Sequence, residues 1–337
     1  MRSLFQFIFI VVVVAAEFAT AADAQPRMSP PSAGYIFDPE ARSIRSILGS
    51  PGASVIGPPL DLGIPVASSV ISPRQDFAIL VGAENADVRV LQLQPDNFRI
   101  QVLPQSAPAP RLVTMSPSGR AVGLYYSESP AKLQVFAHLS QAPLLAHEIN
   151  LDSLTGDLLA AAISDDGEAV LFLTGDRENS STWLSYAGTN PIRLQSIPSI
   201  SVMAFQSDGY DVAMATRDGQ VFSLRNLVTS PDLQTLWSQN DRTSDPVAVR
   251  FSREGTRVYL VTRQGMTASL GVETEGATFV DCGCHPSGLF SLNSGTMIRL
   301  NEISDGPLKL LDIANPEPRI WFVPALLPEA GAAGGAQ

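Results

Sequence analysis

Cys282-Gly283-Cys284-His285 is the segment of this 337-residue chain whose residue types could most directly do chemistry. Two thiolates and an imidazole suit zinc or copper, and a dithiol could serve redox exchange. A protein metal site needs about four ligands. The chain has no other cysteine, and its remaining histidines, His138 and His147, lie far upstream. In an extended strand, residues two apart are separated by about 6.6 Å, near the upper limit for a disulfide, and Gly283 permits a bend that shortens this. The expectation for Cys282 and Cys284 is therefore structural, as buried thiols or a local disulfide, with no metal and no cofactor.

The other candidate motifs are weaker. Ser129-Pro130-Ala131-Lys132 has the Ser-x-x-Lys spacing of penicillin-recognising acylases, which works where a helix sets both side chains on one face. Pro130 and the strand-like run Lys132-Leu133-Gln134-Val135-Phe136 place it in a hairpin loop instead. Asp165-Asp166 falls in a turn, where turn chemistry accounts for it. Asn179-Ser180-Ser181 is a glycosylation sequon. The chain has no Gly-x-Ser-x-Gly elbow, His-Glu-x-x-His pair, phosphate loop or calcium-loop pattern. No residue is assigned as catalytic, cofactor-binding or metal-ligating.

These side chains must be positioned by whatever follows the first residues, which read as a secretory signal. Arg2 precedes an apolar run over residues 4–16 that is interrupted only by Gln6 and ends before Glu17. A bilayer-spanning helix needs about 20 apolar residues, so this run is too short to anchor. Ala22-Asp23-Ala24 has the small-x-small pattern of a cleavage site. The reading is a signal peptide over residues 1–24, no integral span in the mature chain, and a periplasmic or extracellular location. Net charge is −11, or −10 once Arg2, Glu17 and Asp23 are removed. Nucleic acid as a partner needs a basic surface, so this balance argues against it.

Charged residues make up only 16% of the chain, hydrophobic residues 45%, and there are 25 Gly and 26 Pro. Short strands joined by tight turns have this composition. One pattern recurs: an apolar strand end, a small polar turn, then a second apolar strand. It appears at Ser72-Pro73-Arg74-Gln75, Ser116-Pro117-Ser118-Gly119, Ser164-Asp165-Asp166-Gly167, Gln206-Ser207-Asp208-Gly209 and Ser252-Arg253-Glu254-Gly255. The first positions are spaced by 44, 48, 42 and 46 residues. A degraded sixth copy surrounds Ser294-Gly295. Asp218-Gly219 and Gln264-Gly265 mark second hairpins, and two further strands complete each unit. A period in the forties built of four strands is the length of one propeller blade.

On these Ser-x-x-Gly turns the chain resembles the WD40-like and YVTN-type β-propeller superfamily of exported proteins, from about residue 34 to residue 324. The resemblance is one of pattern and brings no functional residues with it. The Gly-His and Trp-Asp dipeptides of true WD40 repeats are absent. The fold class expected is all-β, a propeller of four-stranded blades, with seven blades and six as the alternative count. It would form one domain over residues 25–328, its ring closed by an N-terminal half-blade that a C-terminal strand completes. An Ala/Gly-rich tail at 329–337 reads as disordered.

The function expected is an exported, non-enzymatic binding or assembly scaffold whose partner is a protein or envelope component. The alternative is a lactonase-like hydrolase with its site in the central funnel. Intact-mass analysis of exported protein should show a chain that starts at Gln25; a mature species that retains residues 1–24 would refute the signal reading.

Overall fold

Ser72, Ser116, Ser164 and Ser252 build the repeat locally. Each buried serine hydroxyl accepts the backbone N–H five residues on, from Phe77, Ala121, Ala169 and Arg257, at 2.9–3.4 Å. Each serine N–H donates back to the carbonyl of that same residue at 2.8–2.9 Å, and Gln206 and Leu292 make the same backbone bond to Asp211 and Met297. One side chain thus satisfies a turn donor that no strand could reach, which is the reason serine recurs there. The fourth turn residue is left-handed, with φ of +77° at Gly119, +79° at Gly167 and +71° at Gly255.

The computed structural model describes residues 31–325 apart from 95–96, 155, 177–178, 195–198, 239–240, 275, 294 and 316. The signal segment 1–24 and the tail 329–337 lie outside the described residues. Seven antiparallel sheets follow one another along the chain. Their inner strands are Ser32–Asp38, Val66–Ile71, Leu112–Met115, Asp157–Ile163, Val202–Phe205, Pro246–Phe251 and Phe290–Ser291, in blades 1 to 7. The protein is an all-β, seven-bladed propeller. Among the described residues no helix is long and apolar enough to cross a membrane.

The second strand of each blade explains the continuous apolar runs in the sequence. Phe77–Gly82 and Ala121–Tyr126 are buried at every position, and Ala169–Gly175 at all but the last. A strand covered on both faces has no polar side, so it loses the alternation that marks a half-buried strand. Outer strands keep that alternation in part, as Leu144–Asn150 does. Buried apolar side chains gather into seven clusters among the described residues, one at each seam between blades. The cluster between blades 6 and 7 has the fewest buried members. Its buried members are Cys282, Ile298, Leu300 and Leu311, so blade 6 contributes a single cysteine to that cluster.

Ring closure differs from the expected strand exchange. The C-terminal strand Arg319–Val323 pairs with Leu308–Asp312 inside blade 7, and blade 1 is built from Ser32–Asp38, Ser43–Leu48 and Val55–Pro59. Tyr35-Ile36-Phe37 belongs to an inner pair that faces the channel, not to an outer pair, so a blade of its own begins there. Blade 1 has three strands among the described residues, against four in each other blade.

Side chains join the ends instead. Gln75, in the blade 2 turn, accepts the Tyr35 N–H of blade 1 at 2.6 Å and donates to the Ser291 carbonyl of blade 7 at 2.7 Å. Asn293 of blade 7 donates from its backbone to Ala33 and from its side chain to Ser32, at 3.1 and 2.9 Å. Gly34 passes beneath Gln75, where a Cβ would stand 2.8 Å from Leu292 and 3.0 Å from Gln75. Gln75 occupies the turn position that three other blades give to glycine, at φ +60°. That conformation costs a non-glycine residue about 1 kcal/mol, and the buried bonds of the side chain offset it.

Replacing Gln75 separates these two effects. Gln75→Ala should lose about 2–4 kcal/mol, because Tyr35 N–H and the Ser291 carbonyl are left unpaired. Gln75→Gly loses the same bonds but relieves the strain, so it should unfold about 1 kcal/mol later than the alanine variant. Urea unfolding of the three proteins checks the order; equal stability of wild type and Gln75→Ala would remove Gln75 from ring closure.

Candidate functional site

The seven inner strands surround one central channel of about 1020 Å³. Charge along it is uneven. Five arginines, Arg74, Arg120, Arg250, Arg253 and Arg299, face two carboxylates, Asp208 and Glu302.

The mouth is formed by the serine turns, and Asp165 organises its blade 3 to blade 5 side. The Asp165 side chain is buried and accepts three hydrogen bonds: from Ser118 N–H and Oγ of blade 3 at 2.7 Å each, and from Asp208 N–H of blade 5 at 2.9 Å. Arg120 lies 3.5 Å from the same carboxylate and also pairs with Asp208. One carboxylate therefore ties three consecutive turns. Asp166 serves its own turn, accepting from Ser164 Oγ, Glu168 N–H and the Tyr210 hydroxyl. Burial pushes its carboxyl up, but the Ser164 and Tyr210 hydroxyls and the Glu168 N–H outweigh this and hold it below the usual range.

On the opposite side of the mouth the cations are less engaged. Arg74 lies 3.4 Å from Asp76, both largely exposed, and Arg253 is exposed with no carboxylate within 4 Å among the described residues. Deeper, Arg250 crosses from blade 6 to blade 7, where its Nη1 donates to Ser291 Oγ. At the end where the inner strands begin, Arg299 is internally neutralised. Its Nη1 bonds the Asn301 carbonyl at 2.6 Å and Glu302 at 2.7 Å, and its guanidinium lies 4.0 Å from the Phe290 ring centroid. Ser287 Oγ holds the second Glu302 oxygen at 3.2 Å.

The residues singled out by type do not converge here. Cys282 and Cys284 are joined by a disulfide with Cα atoms 5.3 Å apart, Gly283 turning at φ +56°, and Cys282 packs into the seam of blades 6 and 7. His285 is exposed beyond it. His147 lies on the outermost strand of blade 3, its Nε2 3.4 Å from Glu168. His138 directly follows the strand Lys132–Ala137, at φ +57°. Lys132 of the Ser129-to-Lys132 motif donates to Glu148 at 3.0 Å and holds that carboxyl down, with help from Gln134. Among the described residues no group of three or more acidic, histidine or cysteine side chains is placed to hold a metal ion.

Two residues that matter in this channel were not singled out in the sequence. Asp165 stands where the other turns have Pro73, Pro117, Ser207 and Arg253; an acid at that second position was the available signal. Arg250 stands two residues before the turn pattern begins, at a position that is otherwise uncharged in the repeats.

This geometry is that of a propeller with a cationic central channel. No family model matches the chain, and no curated protein matches it. Solved structures do. A functionally unknown protein from Desulfotomaculum acetoxidans aligns at TM-score 0.59 and 14% identity, over 86% of this chain and 95% of the other. A protein from Bacteroides fragilis described as a candidate 6-phosphogluconolactonase aligns at TM-score 0.57 and 14% identity, over 90% and 98%. Hydrazine synthase of Kuenenia stuttgartiensis aligns at TM-score 0.54 and 13% identity, over 87% and 99%. At such identities the likeness is one of fold.

The Asp165 bridge sets up a contrast between its two ends. Asp165→Ala should lower stability by about 2–4 kcal/mol, since three donors lose a buried acceptor. Arg120→Gln should cost under about 1 kcal/mol, because that guanidinium is half exposed and screened. Denaturant midpoints test this; equal losses would mean that the bridge is not what holds the three turns.

Proposed function

We propose that this protein is an exported, non-catalytic binding protein whose channel mouth captures an anionic partner. The observation that carries the reading is a local inversion of charge. The chain as a whole has a net charge of −11, yet its channel is lined by five arginines and two carboxylates, and although Asp76 and Asp165 lie against Arg74 and Arg120, Arg250 and Arg253 have no carboxylate within 4 Å among the described residues. An acidic exterior repels an anionic partner everywhere except at a cationic mouth, so the field itself directs docking. Acid–base turnover is poorly served by the same arrangement. A general base must be free to take a proton from the substrate, and Asp208 and Glu302 both accept from arginines.

A hydrolase is the second reading, supported by the description of the Bacteroides fragilis neighbour. Capture from an envelope extract and turnover of 6-phosphogluconolactone separate the two. Capture by the wild type should weaken at high salt and fall about tenfold or more in Arg74→Glu/Arg253→Glu, which reverses two charges at the mouth. Replacing His138, His147 and His285 together with Ala should leave capture intact. Lactone turnover that disappears in Asp208→Asn would overturn the binding reading and establish the hydrolase.

A further inference from the structure

Six blades share the turn bond between its first residue and the residue five positions on, which places their inner strands in common register. Two positions before that first residue stand Val70, Thr114, Ala162, Ala204, Arg250 and Phe290. Five are uncharged, and two of them are alanine. Of these six, blade 6 alone puts a guanidinium there, and it reaches Ser291 of blade 7.

Arg250 is incompletely satisfied. Its Nη1 donates to Ser291 Oγ, and its Nε reaches the Phe251 carbonyl at 3.4 Å. Its other N–H groups make no hydrogen bond among the described residues, and no carboxylate lies within 4 Å. Burial pushes its guanidinium below the usual arginine range, with Tyr259 opposing; an arginine still keeps its proton in such a setting. A latch between blades 6 and 7 would need one donor and no charge. Holding an unpaired cation partly out of water costs several kcal/mol, and an alanine like Ala204 would avoid that. The side chain is half-buried and lines the channel, so a ligand there is the partner within reach of its unused donors.

We propose that Arg250, oriented by Ser291, is a subsite for an oxyanion, a carboxylate or phosphate group borne by the ligand of the channel. This rests on the reading of the channel as an anion-binding site and assigns the group that it recognises. A guanidinium fork matches both carboxylate and phosphate with paired N–H donors. Arg299 is the weaker candidate, since its charge is already paired with Glu302, which shares its Nη1 with the Asn301 carbonyl.

Calorimetric titration with inorganic phosphate and with malonate tests the assignment and tells the two sources apart, with malonamide as the uncharged control. Wild type should bind one or both anions and not malonamide. Loss of a charge-assisted bond is worth about 1.5–3 kcal/mol, so Arg250→Gln should weaken the bound anion by about tenfold to a hundredfold. Arg263→Gln, which removes an exposed arginine away from the channel, should not. Arg250→Lys, which keeps the charge without the fork, should lose less than Arg250→Gln. A measurement on the wild type needs no variant: the bound anion should slow modification of Arg250 by phenylglyoxal, read by peptide mass, and leave Arg263 unaffected. Absence of binding by both anions, or unchanged affinity in Arg250→Gln, would overturn the subsite. If the mouth variant Arg74→Glu/Arg253→Glu still loses capture in that case, the anionic-partner reading stands and the subsite alone fails. If Arg250 controls anion binding while the mouth variant captures normally, the subsite stands and that reading falls.

Discussion

A blade whose second strand is buried on both faces cannot stand alone, and this constraint organises the whole molecule. Phe77–Gly82, Ala121–Tyr126 and their counterparts present apolar side chains to both neighbouring blades. Burying a large apolar side chain is worth about 1.5–3 kcal/mol, so each added blade gains one seam and leaves its far face exposed until the next one packs. Only closure removes the last exposed face. The channel is a by-product of that closure, and its lining is whatever the seven inner strands carry.

Closure without an exchanged strand shifts the demand to a few side chains. Gln75 reaches from blade 2 past blade 1 to blade 7, and Asn293 returns from blade 7 to blade 1. The apolar seam beneath them, Ile36 and Ile47 against Leu308 and Val323, carries the bulk of the adhesion. Blade 1 ends in Val55–Pro59, whose Pro58 and Pro59 are exposed and donate no N–H. An edge that carries two prolines is a poor template for another strand, which makes a three-stranded blade tolerable at the point of closure.

The fold was legible because the repeat is a local device. Ser72, Ser116, Ser164 and Ser252 each solve the same turn problem with atoms five residues apart, so a period in the forties could be read from the chain alone. The identity of blade 1 was not legible: Tyr35-Ile36-Phe37 carries no serine turn after it, and whether a strand pair is inner or outer depends on contacts far along the chain. The channel was still less so. His138, His147 and Cys282 were conspicuous by type, yet they lie on outer turns, outer strands and a seam. Arg250 and Asp165 are conspicuous only once the inner strands are set side by side.

Gln75, Asp165 and Arg250 all depart from the repeat at the inner end of a blade, and they differ in one physical respect. Gln75 and Asp165 both engage partners in other blades, so ring mechanics accounts for them. A departure of that kind is complete within the protein. Arg250 is not complete. It gives one bond to Ser291, leaves a charge unpaired, and stands where blade 5 does with a methyl group. Around the mouth the same asymmetry repeats at lower resolution of detail: Arg120 is neutralised by Asp165 and Asp208, while Arg253 is not. Among the described residues, the channel arginines without a carboxylate partner are thus Arg250 and Arg253, both in blade 6. Stability alone would favour carbon at position 250, and the guanidinium that stands there finds its missing partner only in a ligand.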